Sequence, residues 1–205
     1  MIRTHRFISF EGGDGAGKSS HIDWLADLLT QRGEQVVRTR EPGGTPLGEK
    51  LRTLLLSDAM DIDTELMLMY AARRQHLVEV IEPALAAGRI VITDRFEDST
   101  YAYQGGGRSI DFDRIQQIGR CCRGPRPDLT LFFDLSVEVA LKRLEGTRDL
   151  DRFEKEGRDF HERVRAAYHR RAKIEPKRIV IIDANRSIQD IRLGLTELFK
   201  FSQEA

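Results

Sequence analysis

The chain has 205 residues, 40% hydrophobic and 32% charged, enough for one domain with a sizeable buried core. Lys+Arg and Asp+Glu each number 33, and the zero net charge argues against a broad basic nucleic-acid surface and against a polybasic membrane anchor. No apolar stretch approaches the roughly 18 residues of a membrane span, and no signal-peptide core precedes the first strand pattern, so the sequence reads as cytoplasmic.

Short β-branched or aromatic runs alternate with longer amphipathic ones. Strands are predicted at Arg6–Glu11, Gln35–Thr39, Ile90–Thr93, Leu129–Asp134 and Arg178–Asp183, with helices near 18–32, 47–57, 63–87, 111–121, 136–144, 158–174 and 187–201. Strands spaced by helices imply crossovers and a five-stranded parallel sheet covered on both faces, an α/β fold in one domain over 1–205. Gly105–Ser109 and the densely charged Glu145–Glu156 fit no packed element and are expected to be loops over an active site. Cys121 and Cys122 are adjacent and belong to no metal spacing, and the five histidines form no HExxH pair, so reduced thiols and no zinc chemistry are expected.

The first strand runs into Gly12-Gly13-Asp14-Gly15-Ala16-Gly17-Lys18-Ser19, a full GxxxxGK[ST] phosphate loop placed between a strand and a helix. Its glycines let backbone N–H groups curl around a phosphate, and the helix start favours the anion. Residues 12–20, ending in Ser19-Ser20, are therefore the expected ATP-binding segment. Lys18 is expected to reach the terminal phosphates and Ser19 a Mg²⁺ ion. No Asn-Lys-x-Asp or LSGGQ-like stretch is present, which disfavours a guanine-reading switch and a transporter ATPase.

A second set of anion- and base-reading residues lies at the carboxyl ends of the strands, where open α/β sheets bind ligands. Asp94-Arg95 ends the third strand, Asp94 as a metal candidate with Asp134 as rival, and Arg95 as a phosphate clamp. The helix from about Asp63 puts Leu66, Met69, Tyr70, Arg73 and Leu77 on one face. An arginine there is costly unless its charge meets a partner. Ser99–Gln104 supplies hydroxyl and amide groups suited to a pyrimidine edge.

Gly12–Ser19, Arg40–Thr45, Tyr70–Arg73, Asp94–Phe96, Tyr103–Gly107 and Leu150–Glu154 together resemble the bacterial thymidylate kinases, in order and across nearly the whole chain. The resemblance implies a three-layer P-loop kinase fold with a lid at about 145–156. It implies the reaction ATP + dTMP → ADP + dTDP, with Mg²⁺, in a homodimer. It places Asp14 at the sugar 3′-hydroxyl, Arg95 at the acceptor phosphate, Arg73, Thr100 and Gln104 at the thymine edge, Pro42 against the base and Tyr103 near the 2′ position. Where the family often has Phe four residues before the helix arginine, this chain has Met69. Gly15 stands where some relatives carry a P-loop arginine. Arg152 first, then Arg148 and Arg143, are thus expected to bring a guanidinium to the transferring phosphoryl group. A P-loop kinase for another nucleotide or deoxynucleoside, a nucleotide-dependent switch and a DNA-associated ATPase are the alternatives.

Overall fold

The computed structural model describes residues 5–145 and 150–200. Five parallel strands, β1 (Phe7–Glu11), β2 (Val36–Arg40), β3 (Ile90–Asp94), β4 (Leu129–Asp134) and β5 (Ile179–Asp183), form one sheet in the order β2-β3-β1-β4-β5. Register places Phe10 beside Asp94 and Ile8 beside Leu129. Each strand lies within one residue of its predicted bounds at either end.

Alternation along the central strands divides the core. Ile8, Phe10, Ile92, Leu131 and Phe133 face helices α1 (Lys18–Gln31) and α9 (Ile188–Lys200) through Leu25, Leu29, Ile191 and Leu195. Phe7 and Val91 point the other way and pack on Leu77 and Ile81. Phe132 meets α8 (Arg158–Ile174) through Tyr168, stacked at 4.9 Å between ring centroids. Each apolar face is thus covered by helices, the three-layer α/β/α arrangement that buried parallel strands require. Among the described residues no helix is long and apolar enough to cross a membrane.

The remaining helices are α2 (Pro46–Ser57), α3 (Ile62–His76), α4 (Glu82–Ala86), α5 (Glu97–Thr100), α6 (Phe112–Gly119) and α7 (Val137–Leu144). Thr45 caps α2 by accepting from Gly48 N at 2.9 Å, with Pro46 in the first turn, where its missing N–H costs nothing. The helix predicted over 63–87 is divided into α3, a π-helical segment Leu77–Ile81, and α4. Pro83 accounts for the break, since it has no N–H to donate back into the preceding turn, and a wider turn absorbs the misfit.

The expected loop Gly105–Ser109 corrects in the same way. Tyr101–Gly107 is a second π-helical segment, continuous with α5 and largely buried. Its glycines are a packing device. A Cβ on Gly106 would lie 2.6 Å from the Arg163 carbonyl oxygen of α8, and one on Gly107 2.4 Å from the Phe160 ring. Arg163 donates to the carbonyls of Gly106 and Gly107, which would otherwise be orphaned.

Candidate active site

The loop from Gly12 to Gly17 joins β1 to α1 through left-handed turns that only glycine adopts freely. Gly15 has φ 78° and Gly17, the cap of α1, φ 81°. Lys18 folds back to donate to the carbonyls of Gly12 and Gly13 at 3.2 and 3.1 Å. Burial, then the neighbouring Arg95 charge, pull its pKa below the ordinary lysine value. Lys18, Ser19, Ser20, Asp94, Arg95 and Arg143 line a cleft of about 560 Å³ over this loop.

Arg95 follows β3 in a left-handed conformation, φ 68°, unusual for a residue with a β-carbon. Its neighbours hold it there: Arg95 N donates to Phe10 O at 2.9 Å, and Phe96 N donates to Glu11 Oε1 at 2.7 Å. The guanidinium then reaches Asp14 Oδ1 at 2.8 Å, the Gly12 carbonyl at 2.8 Å and the Tyr103 hydroxyl at 3.0 Å. Burial opposes charge on Asp14, but Arg95 and Lys18 outweigh it and hold the carboxyl well below its usual range. Arg95 is correspondingly held well above the ordinary arginine value, chiefly by Asp14 against the cost of burial.

The two metal candidates differ in freedom. Both oxygens of Asp134 are taken by Arg165, at 2.6 and 3.0 Å, and Oδ2 is also 3.2 Å from His169 Nε2. Asp94 lines the phosphate cleft beside Ser19, and its buried Oδ1 has no hydrogen-bond partner. A hydroxyl and one unsatisfied carboxylate fit a hard cation that takes its other ligands from phosphate and water.

A second pocket opens beside the first and collects all eight residues expected at the acceptor: Asp14, Pro42, Met69, Arg73, Arg95, Thr100, Tyr103 and Gln104. Arg73 is 4% exposed. Its Nε donates to Glu41 Oε2 at 2.7 Å, its Nη2 donates to Thr100 Oγ1 at 3.0 Å, and its buried Nη1 has no partner. Burial disfavours the charge, and Glu41 more than restores it, raising the pKa above the ordinary value. Phe96 and Tyr70 present ring faces 5.1 Å from the guanidinium carbon. Met69 lines the pocket and packs on the aromatic cluster of α8, so apolar contact to a ring there falls to the thioether together with Phe96 and Phe153.

Several site residues were not anticipated. Glu41 bridges Arg73 and His76, whose Nε2 lies 2.5 Å from Thr39 Oγ1. Arg52 donates to the Pro42 carbonyl at 3.0 Å and lines both clefts, its pKa lowered by burial and then by Arg40. The signal for Glu41 was its place in Arg40-Glu41-Pro42, immediately beyond β2. Nothing in the sequence marked Arg52.

The lid residues differ most from expectation. Arg148 lies outside the described residues. Arg152 turns away from the phosphate loop: its guanidinium donates to the Leu55 carbonyl at 3.0 and 3.1 Å and lies 2.8 Å from Glu65 of α3. The cause is a buried carboxylate that needs a cation, together with the Phe153 ring 4.7 Å beneath the guanidinium. Arg143, ranked last from sequence, is the described lid-side arginine at the loop, donating to the Gly15 carbonyl at 3.1 Å. Residues 150–156 are also less open than a charged loop implies, since Phe153 and Glu154 are buried.

Against known proteins, the family described as Thymidylate kinase matches residues 10–193. Thymidylate kinase of Chromobacterium violaceum is 56% identical over 197 residues, covering 95% of this chain and 93% of the relative. The chain belongs to the thymidylate kinase family. The thymidylate kinase of Cupriavidus metallidurans is likewise 56% identical, over 194 residues, covering 94% of this chain and 96% of the relative. The crystal structure of thymidylate kinase from Ehrlichia chaffeensis superposes with a TM-score of 0.78 at 36% identity, covering 95% of this chain and 97% of that one.

Proposed function

We propose that the protein transfers the γ-phosphoryl group of ATP to dTMP, giving ADP and dTDP, a step of dTTP biosynthesis. The observation that carries this reading is that Asp14, Arg52 and Arg95 line both the phosphate cleft and the second pocket, so donor and acceptor phosphates would meet at shared residues.

An acceptor phosphate is largely dianionic at neutral pH, with a second pKa near 6, so its oxygen attacks without a general base. The work left to the protein is to bring two polyanions into line. Lys18 on the terminal phosphates, Arg95 and Arg52 on the acceptor phosphate, and Arg143 from the lid side would offset their repulsion. A new bond forms between the acceptor oxygen and the γ-phosphorus as the bond to the β,γ-bridging oxygen breaks, leaving ADP. Mg²⁺ bound with ATP supplies charge neutralisation, and Ser19 and Asp94 are the residues to hold it. Asp14, drawn to its charged form by Arg95 and linked to the Tyr103 hydroxyl at 3.1 Å, suits a sugar hydroxyl, while Arg73, Thr100, Gln104, Pro42 and Met69 enclose the base.

A cytoplasmic homodimer fits the same reading. Leu47 and Leu54 of α2 and Ile62 and Met67 of α3 are large exposed apolar side chains on adjacent helices. The test is ADP release measured with dTMP, dUMP, dCMP, UMP and AMP. Preference for dTMP is expected, and equal turnover of AMP would transfer the site to another monophosphate kinase.

A further inference from the structure

Gln104 is 1% exposed and sits in the π-helical segment with Nε2 2.8 Å from Glu65 Oε1. Glu65 is fully buried in α3, and its other oxygen faces Arg152 Nη2 at 2.8 Å and Arg108 Nε at 3.4 Å. A carboxylate between two guanidinium groups accepts hydrogen bonds and does not donate them. The amino end of the Gln104 amide is therefore the end turned to Glu65. Its carbonyl oxygen has no partner among the described residues, and Gln104 lines the acceptor pocket. From α3, the helix of Glu65, Arg73 brings a buried Nη1 with no partner. The pocket thus offers one donor and one acceptor of fixed sense.

A 4-oxo pyrimidine, with a carbonyl at C4 and a proton on N3, is the complement of that pair. A 4-amino pyrimidine presents the reverse at both atoms. Turning the Gln104 amide by 180° would change neither shape nor volume, yet it would convert the acceptor to a donor and welcome an unprotonated N3. We infer that Glu65 is a specificity-determining positioning residue: by taking the amino end of Gln104 it fixes the carbonyl toward the base and makes the site reject 4-amino pyrimidine nucleotides. The inference rests on the proposed reading that this pocket holds the base. Discrimination of this kind comes from what the wrong partner leaves unpaired, so it depends on the amide being unable to turn.

The test is kcat/KM for dTMP and for dCMP, with ATP, in the wild type, Glu65→Gln, Glu65→Asp and Gln104→Ala. In Glu65→Gln the new amide can donate to the Gln104 oxygen, and the dTMP/dCMP ratio is expected to fall at least roughly tenfold, through KM more than kcat. Glu65→Asp keeps a charge between Arg108 and Arg152 while withdrawing the oxygen from Gln104, and is expected to move the ratio the same way if the Gln variant does not fold. A merely structural Glu65 would depress both substrates together, and an unchanged ratio in both variants overturns the inference. If the wild type does not discriminate, or Gln104→Ala leaves its ratio intact, the reading of the pocket fails instead. The wild type carries an independent check by ¹⁵N NMR: the Gln104 side-chain amino group is expected to be protected from exchange before dTMP is added and little shifted by it. A large shift would place that amino group on the base and overturn the inference without any variant.

Discussion

Arg143 Nη1 donates to the Gly15 carbonyl across 3.1 Å, tying the end of α7 to the phosphate loop. Arg143→Ala is expected to lower kcat more than it weakens ATP or dTMP binding, by roughly ten- to a hundredfold, less than the 10³–10⁵ of a dedicated arginine finger. Arg152→Ala is expected to lower kcat less and the melting temperature more, because it strips Glu65 of a buried cation. A larger kcat loss in Arg152→Ala at native stability would return the phosphoryl contact to Arg152. Gly15→Arg is not expected to rescue either variant, since residue 15 has φ 78° and its Cβ would meet the Ala140 carbonyl oxygen at 3.0 Å.

Lys18→Ala should leave the fold intact and reduce dTMP-dependent ADP release by at least roughly a hundredfold. Its partners in the free protein are two loop carbonyls, which water can satisfy once the ammonium is gone. Near-native turnover in a folded variant would remove the phosphate-loop assignment.

Arg73→Ala should weaken dTMP binding by about 1–3 kcal/mol, the loss of a desolvated hydrogen bond. It should also cost stability, since Glu41 would keep His76 as a partner and lose its guanidinium. Calorimetric titration with dTMP at unchanged affinity would return Arg73 to a structural role.

Asp94→Asn is expected to raise the Mg²⁺ concentration needed for half-maximal activity. Asp134→Asn should instead lower the melting temperature by loosening Arg165 and His169. A Mg²⁺ requirement shifted by Asp134→Asn and untouched by Asp94→Asn would exchange their roles.

Stability should carry the signature of Glu11. Burial and the nearby Asp98 charge push its pKa up from 4.5 to about 7, although Ser99, Arg95 and the Phe96 N–H favour the carboxylate. Between those values the folded chain binds more protons than the unfolded one, so stability falls as pH rises through the window and levels off above it. Glu11→Gln should remove that slope, and the melting-temperature advantage of the wild type over the variant should shrink from pH 5 to pH 8. A difference independent of pH would mean that Glu11 titrates normally.

The sheet was legible because five short apolar runs separated by amphipathic ones admit few arrangements, and the phosphate loop because its spacing is a mechanical requirement. The acceptor residues were legible through resemblance, and the pocket gathers them from the segments that follow β1, β2 and β3, from α3, from α5 and from the π-helical turn after it. Less legible was anything decided by long-range pairing. Arg152 could be read as a phosphate ligand because sequence does not show that Glu65, 87 positions away, lies buried beside its guanidinium. The π-helical turns escaped because Pro83 and three consecutive glycines signal a break locally, whereas the packed surroundings turn that break into a wider helix.

Gly105, Gly106 and Gly107 have the composition of a linker, the kind of stretch where substitutions usually accumulate unnoticed. Here each α-carbon touches another element: a β-carbon would press into Phe112 of α6 at 2.5 Å, Ala167 and the Arg163 carbonyl of α8 at 2.6 Å, and Phe160 at 2.4 Å. Even alanine would therefore push α6 or α8 outward and carry Tyr103 and Gln104, in the same helical turn, with it. The smallest residues in the chain thus set the spacing of the pocket that Tyr103 and Gln104 line, and mutational tolerance across this segment should be among the lowest in the protein, against everything its composition suggests.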